Sequence, residues 1–198
     1  MALVPSPSSA APEFPARQLA RLERPLRLHR GGVIEQPVVA HETWGRLNAA
    51  RDNTVLLFTG LSPPAHAASS PADPKPGWWE PMIGEGRPID TRRFFVVAVN
   101  SLGSPYGSSS PVSIDPVTGQ RYGVDFPEIA VEDIATAGRE ALRTLGIRRV
   151  AAVVGPSLGG MVVLAYCALF PGEVDNVVTI SGAARATPFA IALRSLQR

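Results

Sequence analysis

The stretch from Val150 to Phe170, VAAVVGPSLGGMVVLAYCALF, allows few folds. A valine-rich apolar run of this kind suits a strand covered on both faces. Within two residues it becomes a segment apolar nearly all round, the pattern of a buried helix. The join is Gly155-Pro156-Ser157-Leu158-Gly159, a G-x-S-x-G pattern. Gly155 and Gly159 flank a turn too sharp for side chains, so Ser157 is expected to project from the carboxyl end of the strand. G-x-S-x-G alone is weak. Set between a buried strand and a buried helix, it is specific.

Similar runs recur at Thr54 to Gly60 (TVLLFTG), Phe94 to Asn100 (FFVVAVN) and Asn176 to Ser181 (NVVTIS). Pro37 to Gly45 (PVVAHETWG) reads as a half-buried strand. In VEDIATAGREALRTLGI, Val131, Ile134, Ala135, Gly138, Ala141, Leu142 and Leu145 share one helical face. Strands alternating with helices predict an α/β fold with a mostly parallel, doubly wound sheet. Residues 1–25 read as a flexible Pro/Ser/Ala-rich tail and lead-in, and 26–198 as the domain. Two long loops, Gly60 to Gly86 and Asn100 to Pro127, follow the carboxyl ends of predicted strands, where open α/β sheets place their sites.

Composition removes several classes of function. A net charge of +2, with arginines dispersed and Lys75 the only lysine, gives no footprint for nucleic acid. No run approaches the roughly 20 apolar residues of a membrane span. The N-terminus lacks the pattern of a secretory signal. Cys167, the single cysteine, excludes an internal disulfide and a cysteine-based zinc site, and fits a reducing cytoplasm. It reads as a core thiol. Trp78 and Trp79 read as anchors of the first loop. Asn100, Gly103, Ser108, Ser109 and Ser110 read as holding the second by side-chain bonds to backbone.

Ser157 is the candidate nucleophile. Leu158 N–H, at the helix start, is one expected oxyanion donor, and Phe58 N–H, at the end of an earlier strand, the second. In this architecture an acid and then a histidine follow the serine in sequence. After Ser157 these residues offer only Glu173 and Asp175 as acids and no histidine, since His29, His41 and His66 all precede it. His41 reads as structural and His29 has no evident partner. His66 lies beside the expected oxyanion hole in the wrong order for the base. The triad acid and histidine are therefore absent from these residues.

HETWGRLNAARDNTVLLFTGLS resembles the T-x-G-x-L-N segment and apolar strand ending in T-G of the homoserine O-acyltransferases, within the α/β-hydrolase superfamily. The stretch from GWWEPM through SLGSPYGSSSPVSIDPVTGQRYGVDFP follows that family closely, and GPSLGGM stands where it has G-G-S-x-G-G-M. Pro156 and the proline-rich loop after Gly60 look like its serine O-succinyltransferase branch. The resemblance runs from about residue 26 to the C-terminus. It implies succinyl transfer from succinyl-CoA to L-serine through acyl-Ser157, feeding cysteine synthesis without a metal or bound cofactor. It also implies that Leu61, Ser62, Pro63, Pro64, Ala65 and His66 set specificity for serine over homoserine. Family members are about twice as long, and commonly dimerise through a helical lid. The chain therefore resembles their N-terminal half, cut before the lid and C-terminal strands. Homoserine O-acetyl- or O-succinyltransfer, ester hydrolysis and a non-catalytic remnant stay open as alternatives.

Overall fold

The computed structural model describes residues 14–196; residues 1–13 of the expected tail lie outside the described residues. The central sheet has β1 (Gln18–Arg21), β2 (Val38–Trp44), β3 (Thr54–Phe58), β4 (Phe95–Val99), β5 (Val150–Pro156) and β6 (Val174–Ile180). They lie in the order β1-β2-β4-β3-β5-β6. β1–β2 and β2–β4 pair antiparallel, and the other neighbours parallel. Three α-helices are described: α1 (Val131–Thr144), α2 (Leu158–Leu169) and α3 (Pro188–Ser195).

The continuous apolar runs have a direct cause. Alternate residues Leu56, Phe58, Val97, Val99 and Val153 face α1 and α2, while Val55, Leu57, Val96, Ala98 and Val154 face the other way and are covered too. That second cover is not a helix. It is the long segment between β3 and β4, which lays Ala67, Ala68, Trp78, Trp79 and Ile83 on the sheet. Trp44 on β2 donates its indole N–H to the Ala68 and Ser69 carbonyls at 3.2 and 3.1 Å. Trp78 donates to the Pro64 carbonyl at 3.0 Å and stacks on Trp79 with centroids 5.3 Å apart. Both tryptophans thus fasten the loop to the core.

Glu80 is the hub of this loop. Its carboxylate accepts the Gly77 N–H at 3.0 Å, the Ser69 N–H at 2.7 Å and the Ser69 hydroxyl at 2.8 Å, and pairs with Arg87 at 3.0 Å. These donors, the Gly77 amide foremost, hold its pKa down to about 2. Removing such an acceptor leaves several donors unpaired, so Glu80→Ala is expected to cost about 1–3 kcal/mol at pH 7. A carboxylate depressed in the folded state stabilises above its unfolded pKa of 4.5 and loses that contribution as pH falls towards 2. Urea unfolding of wild type and variant should therefore converge between pH 7 and pH 3. An equal gap at both would rule out an ionic hub.

Two features were not legible in advance. β1 lies inside the expected lead-in; only Ala20 of its four residues is buried, so no apolar alternation marks it. α2 buries Val162, Val163 and Tyr166 but leaves Ala168 and Leu169 exposed, so its uniform apolarity overstates its cover. Cys167 packs half-buried against the core, and burial pushes its thiol pKa up. The second loop is stitched to β2 as expected: Ser108 and Ser109 hydroxyls accept the Ala40 and Val38 N–H groups at 3.0 and 2.9 Å.

Candidate active site

β5 delivers the chain to the site and α2 carries it away. Between them Ser157 takes φ 53° and ψ −117°. That region is strained for any residue with a Cβ, by about 1–3 kcal/mol. The strain persists because the surroundings fix the turn. Ser157 N–H donates to the Ile180 carbonyl at the end of β6 at 2.8 Å, and its carbonyl accepts the Met161 N–H at 3.2 Å. A Cβ on Gly155 would collide with the Gly159 backbone, and one on Gly159 with the Phe58 carbonyl. Glycine at both positions lets the end of β3 press against the first turn of α2. The Phe58 carbonyl consequently lies against Gly159, next to an exposed Ser157. Phe58 itself is buried in β3, and Leu158 alone of the two expected oxyanion donors lines the neighbouring cavity. The first N–H groups of α2 have no partners within the helix and point to that end.

A cavity of about 580 Å³ opens beside this turn. Its walls include Leu158, Leu61 and Ser62 after β3, Ser101 and Tyr106 after β4, and Ile134 of α1. The Ser101 hydroxyl is buried and has no hydrogen-bond partner among the described residues. Of the predicted specificity segment, Leu61 and Ser62 line the cavity, whereas Pro63 and Pro64 do not and Ala65 and His66 turn into the protein. The second loop reaches the cavity as its place after a strand end suggested, whereas the wall from the start of α1 escaped sequence reading, because Ile134 carries the same apolar signal as a core position.

A family profile described as alpha/beta hydrolase fold matches residues 53–196. The chain belongs to the α/β-hydrolase fold family. It is 59% identical over 183 residues to a serine O-succinyltransferase of Litchfieldella anticariensis, covering 92% of this chain and 50% of that protein. It is 53% identical to an L-serine/homoserine O-acetyltransferase of Streptomyces lavendulae, covering 93% and 49%. Among solved structures it is similar to the homoserine O-acetyltransferase of Bacillus anthracis, with a TM-score of 0.75 and 32% identity, covering 84% and 45%. The chain spans about half the length of the curated relatives it matches.

In this α/β-hydrolase chain none of the three histidines hydrogen-bonds Ser157. His29 is exposed, 3.9 Å from Glu132 at the start of α1. His41 is buried in β2 against the Val39 carbonyl, and burial lowers its pKa, which keeps it neutral. His66 is held by Glu42 and the Lys75 carbonyl. The two acids after Ser157 are also committed. Glu173 accepts from Arg139 and Arg143 at 2.6 and 2.7 Å, and Asp175 pairs with Arg149. Both lie at the start of β6, whose far end meets Ser157. At the strand rise, that separates Glu173 from Ser157 by about 20 Å. Among the described residues no cluster of histidine, cysteine and carboxylate side chains is arranged to hold a metal, and no helix is long and apolar enough to cross a membrane.

Proposed function

We propose that these residues carry the nucleophile and oxyanion side of a serine O-succinyltransferase, which moves a succinyl group from succinyl-CoA to the hydroxyl of L-serine. The observation that carries this reading is the 59% identity to the Litchfieldella anticariensis enzyme across 92% of the chain, the Ser157 turn included. Ser157 Oγ attacks the thioester carbonyl and loses its proton to a histidine supplied from outside these 198 residues. The Phe58 and Leu158 N–H groups hold the oxyanion. The C–S bond then breaks, CoA leaves as the thiol with that proton, and succinyl-Ser157 remains. The same histidine deprotonates the serine hydroxyl, which attacks the acyl-enzyme and frees Ser157. Acyl transfer moves no redox electrons, so no bound cofactor is required. In this reading the enzyme works on small molecules in the cytoplasm, without a nucleic-acid or membrane partner, as a homodimer feeding cysteine synthesis.

Similarity to the Streptomyces lavendulae protein supports a second reading, acetyl transfer to serine or homoserine. A chimera that continues this chain with the C-terminal half of the Litchfieldella anticariensis enzyme separates the two. Assayed with both donors and both acceptors, it should show its highest kcat/KM for succinyl-CoA with serine. A higher value for acetyl-CoA or homoserine would transfer the assignment to the second reading. Since Leu61 and Ser62 line the cavity, substituting them should change the serine-to-homoserine ratio by about 1–3 kcal/mol, the worth of a methylene in a pocket. Ala65→Gly, remote from the cavity wall, should leave it unchanged. The opposite pattern would remove the loop's tip from the acceptor site.

A further inference from the structure

The His66 ring sits in an arrangement that the proposed reaction does not use. Nδ1 lies 2.9 Å from Glu42 Oε2 and Nε2 lies 2.8 Å from the Lys75 carbonyl oxygen. Both side chains of the His66–Glu42 pair are almost wholly buried, and Asp73 Oδ2 lies 3.9 Å from the same Nδ1. A carbonyl oxygen and an ionised carboxylate only accept hydrogen bonds, and a neutral imidazole has a single N–H. With Glu42 ionised, both contacts are satisfied only when the ring is an imidazolium. The charged groups facing it are Glu42 from β2 and Asp73 from the loop, with Arg17 just before β1 acting on Glu42; Lys75 contributes its carbonyl.

We infer that His66 is a buried imidazolium that straps the β3–β4 loop to β2, fixes Leu61 and Ser62 at the cavity wall, and releases them when it loses its proton as pH rises. The backbone ladder beside it reports on the strap, because Trp78 N–H donates to the His66 carbonyl at 3.3 Å and Trp79 N–H to that of Ala67 at 2.8 Å. Burial alone would lower the ring's pKa, but the Glu42 bond and the Lys75 carbonyl outweigh it and hold it above its ordinary 6.5. A basic group raised on folding stabilises fully below its unfolded pKa, and the effect is lost as pH rises through the folded value. The strap is therefore closed below pH 6.5 and opens as pH rises through the folded value. That the fixed loop serves an acceptor rests on the acyl-transfer reading; the strap itself does not.

The test uses the ¹⁵N-labelled chain, whose three histidines are few enough to assign. Long-range ¹H–¹⁵N spectra should show both His66 nitrogens protonated at pH 6 and titrating above pH 6.5, with the Leu61 and Ser62 amide shifts following the same midpoint. Glu42→Gln should lower that midpoint. Exchange of the Trp78 and Trp79 amides, corrected for intrinsic base catalysis, should accelerate about tenfold for each unit lost. A neutral tautomer at pH 6 in the unsubstituted chain would overturn the inference, with Glu42 then carrying the shared proton. Leu61 and Ser62 shifts indifferent to the His66 midpoint would overturn its positioning role. Neither result depends on acyl transfer, so the strap and the proposed reaction fail separately.

Discussion

In the chimera completed with a relative's C-terminal half, Ser157→Ala is expected to lower kcat by about 10⁴-fold or more, as removal of other triad nucleophiles does. That corresponds to about 5.5 kcal/mol of transition-state stabilisation. Without Oγ no acyl-enzyme forms, so succinyl-CoA alone should add one succinyl mass to the peptide containing GPSLGGM in wild type and none in the variant. Stability gives an independent readout. Alanine keeps the Cβ, and with it the cost of φ 53°, so Tm should hardly move. Ser157→Gly removes the Cβ and should relieve strain of about 1–3 kcal/mol, less the entropy glycine gains on unfolding. Glycine should thus match or exceed wild type in Tm while being equally inactive. A turn kept for chemistry at a cost in stability behaves this way. A full succinyl label in Ser157→Ala, or on another residue, would displace Ser157 from the mechanism.

The elbow was legible in the sequence because each of its causes is local. Gly155, Ser157 and Gly159 fall within five residues, and the strand and helix that strain Ser157 abut them. β3, β4 and β5 were legible because cover on both faces demands unbroken apolar runs. What covers the second face was not. The cover depends on Trp44 reaching Ala68, Glu42 reaching His66, and Glu80 gathering Ser69 and Gly77. Those contacts run from polar or indole side chains to backbone or other side chains, some 24 residues apart, and no periodicity encodes them. The same limit explains the specificity segment. Leu61 to His66 reads as one loop wall, but the structure divides it where Ala65 and His66 turn inward, leaving Leu61 and Ser62 on the cavity.

The 198-residue chain expressed alone should match the no-enzyme blank with serine and succinyl-CoA, and a C-terminal half added in trans should restore turnover. The chemical argument is the stronger one. His41 is buried away in β2, His29 lies at the start of α1, and both nitrogens of His66 are engaged, so no group here takes the Ser157 proton. Glu173 and Asp175 are ion-paired at the start of β6, away from Ser157, and orient no base. An oxyanion hole in an intact scaffold still gives roughly 10³–10⁴-fold over water without its triad. Even that residue is at risk. On β6, Val177, Val178 and Ile180 are 40–47% exposed, and on α3 Phe189 is 78% exposed. An apolar sheet edge of this kind favours self-association over a preorganised site. Light scattering on the isolated chain should therefore rise with concentration and fall when the second half is added. Turnover by the pure chain near that of the chimera would mean that an upstream residue acts as the base, and would return His66 to the catalytic site.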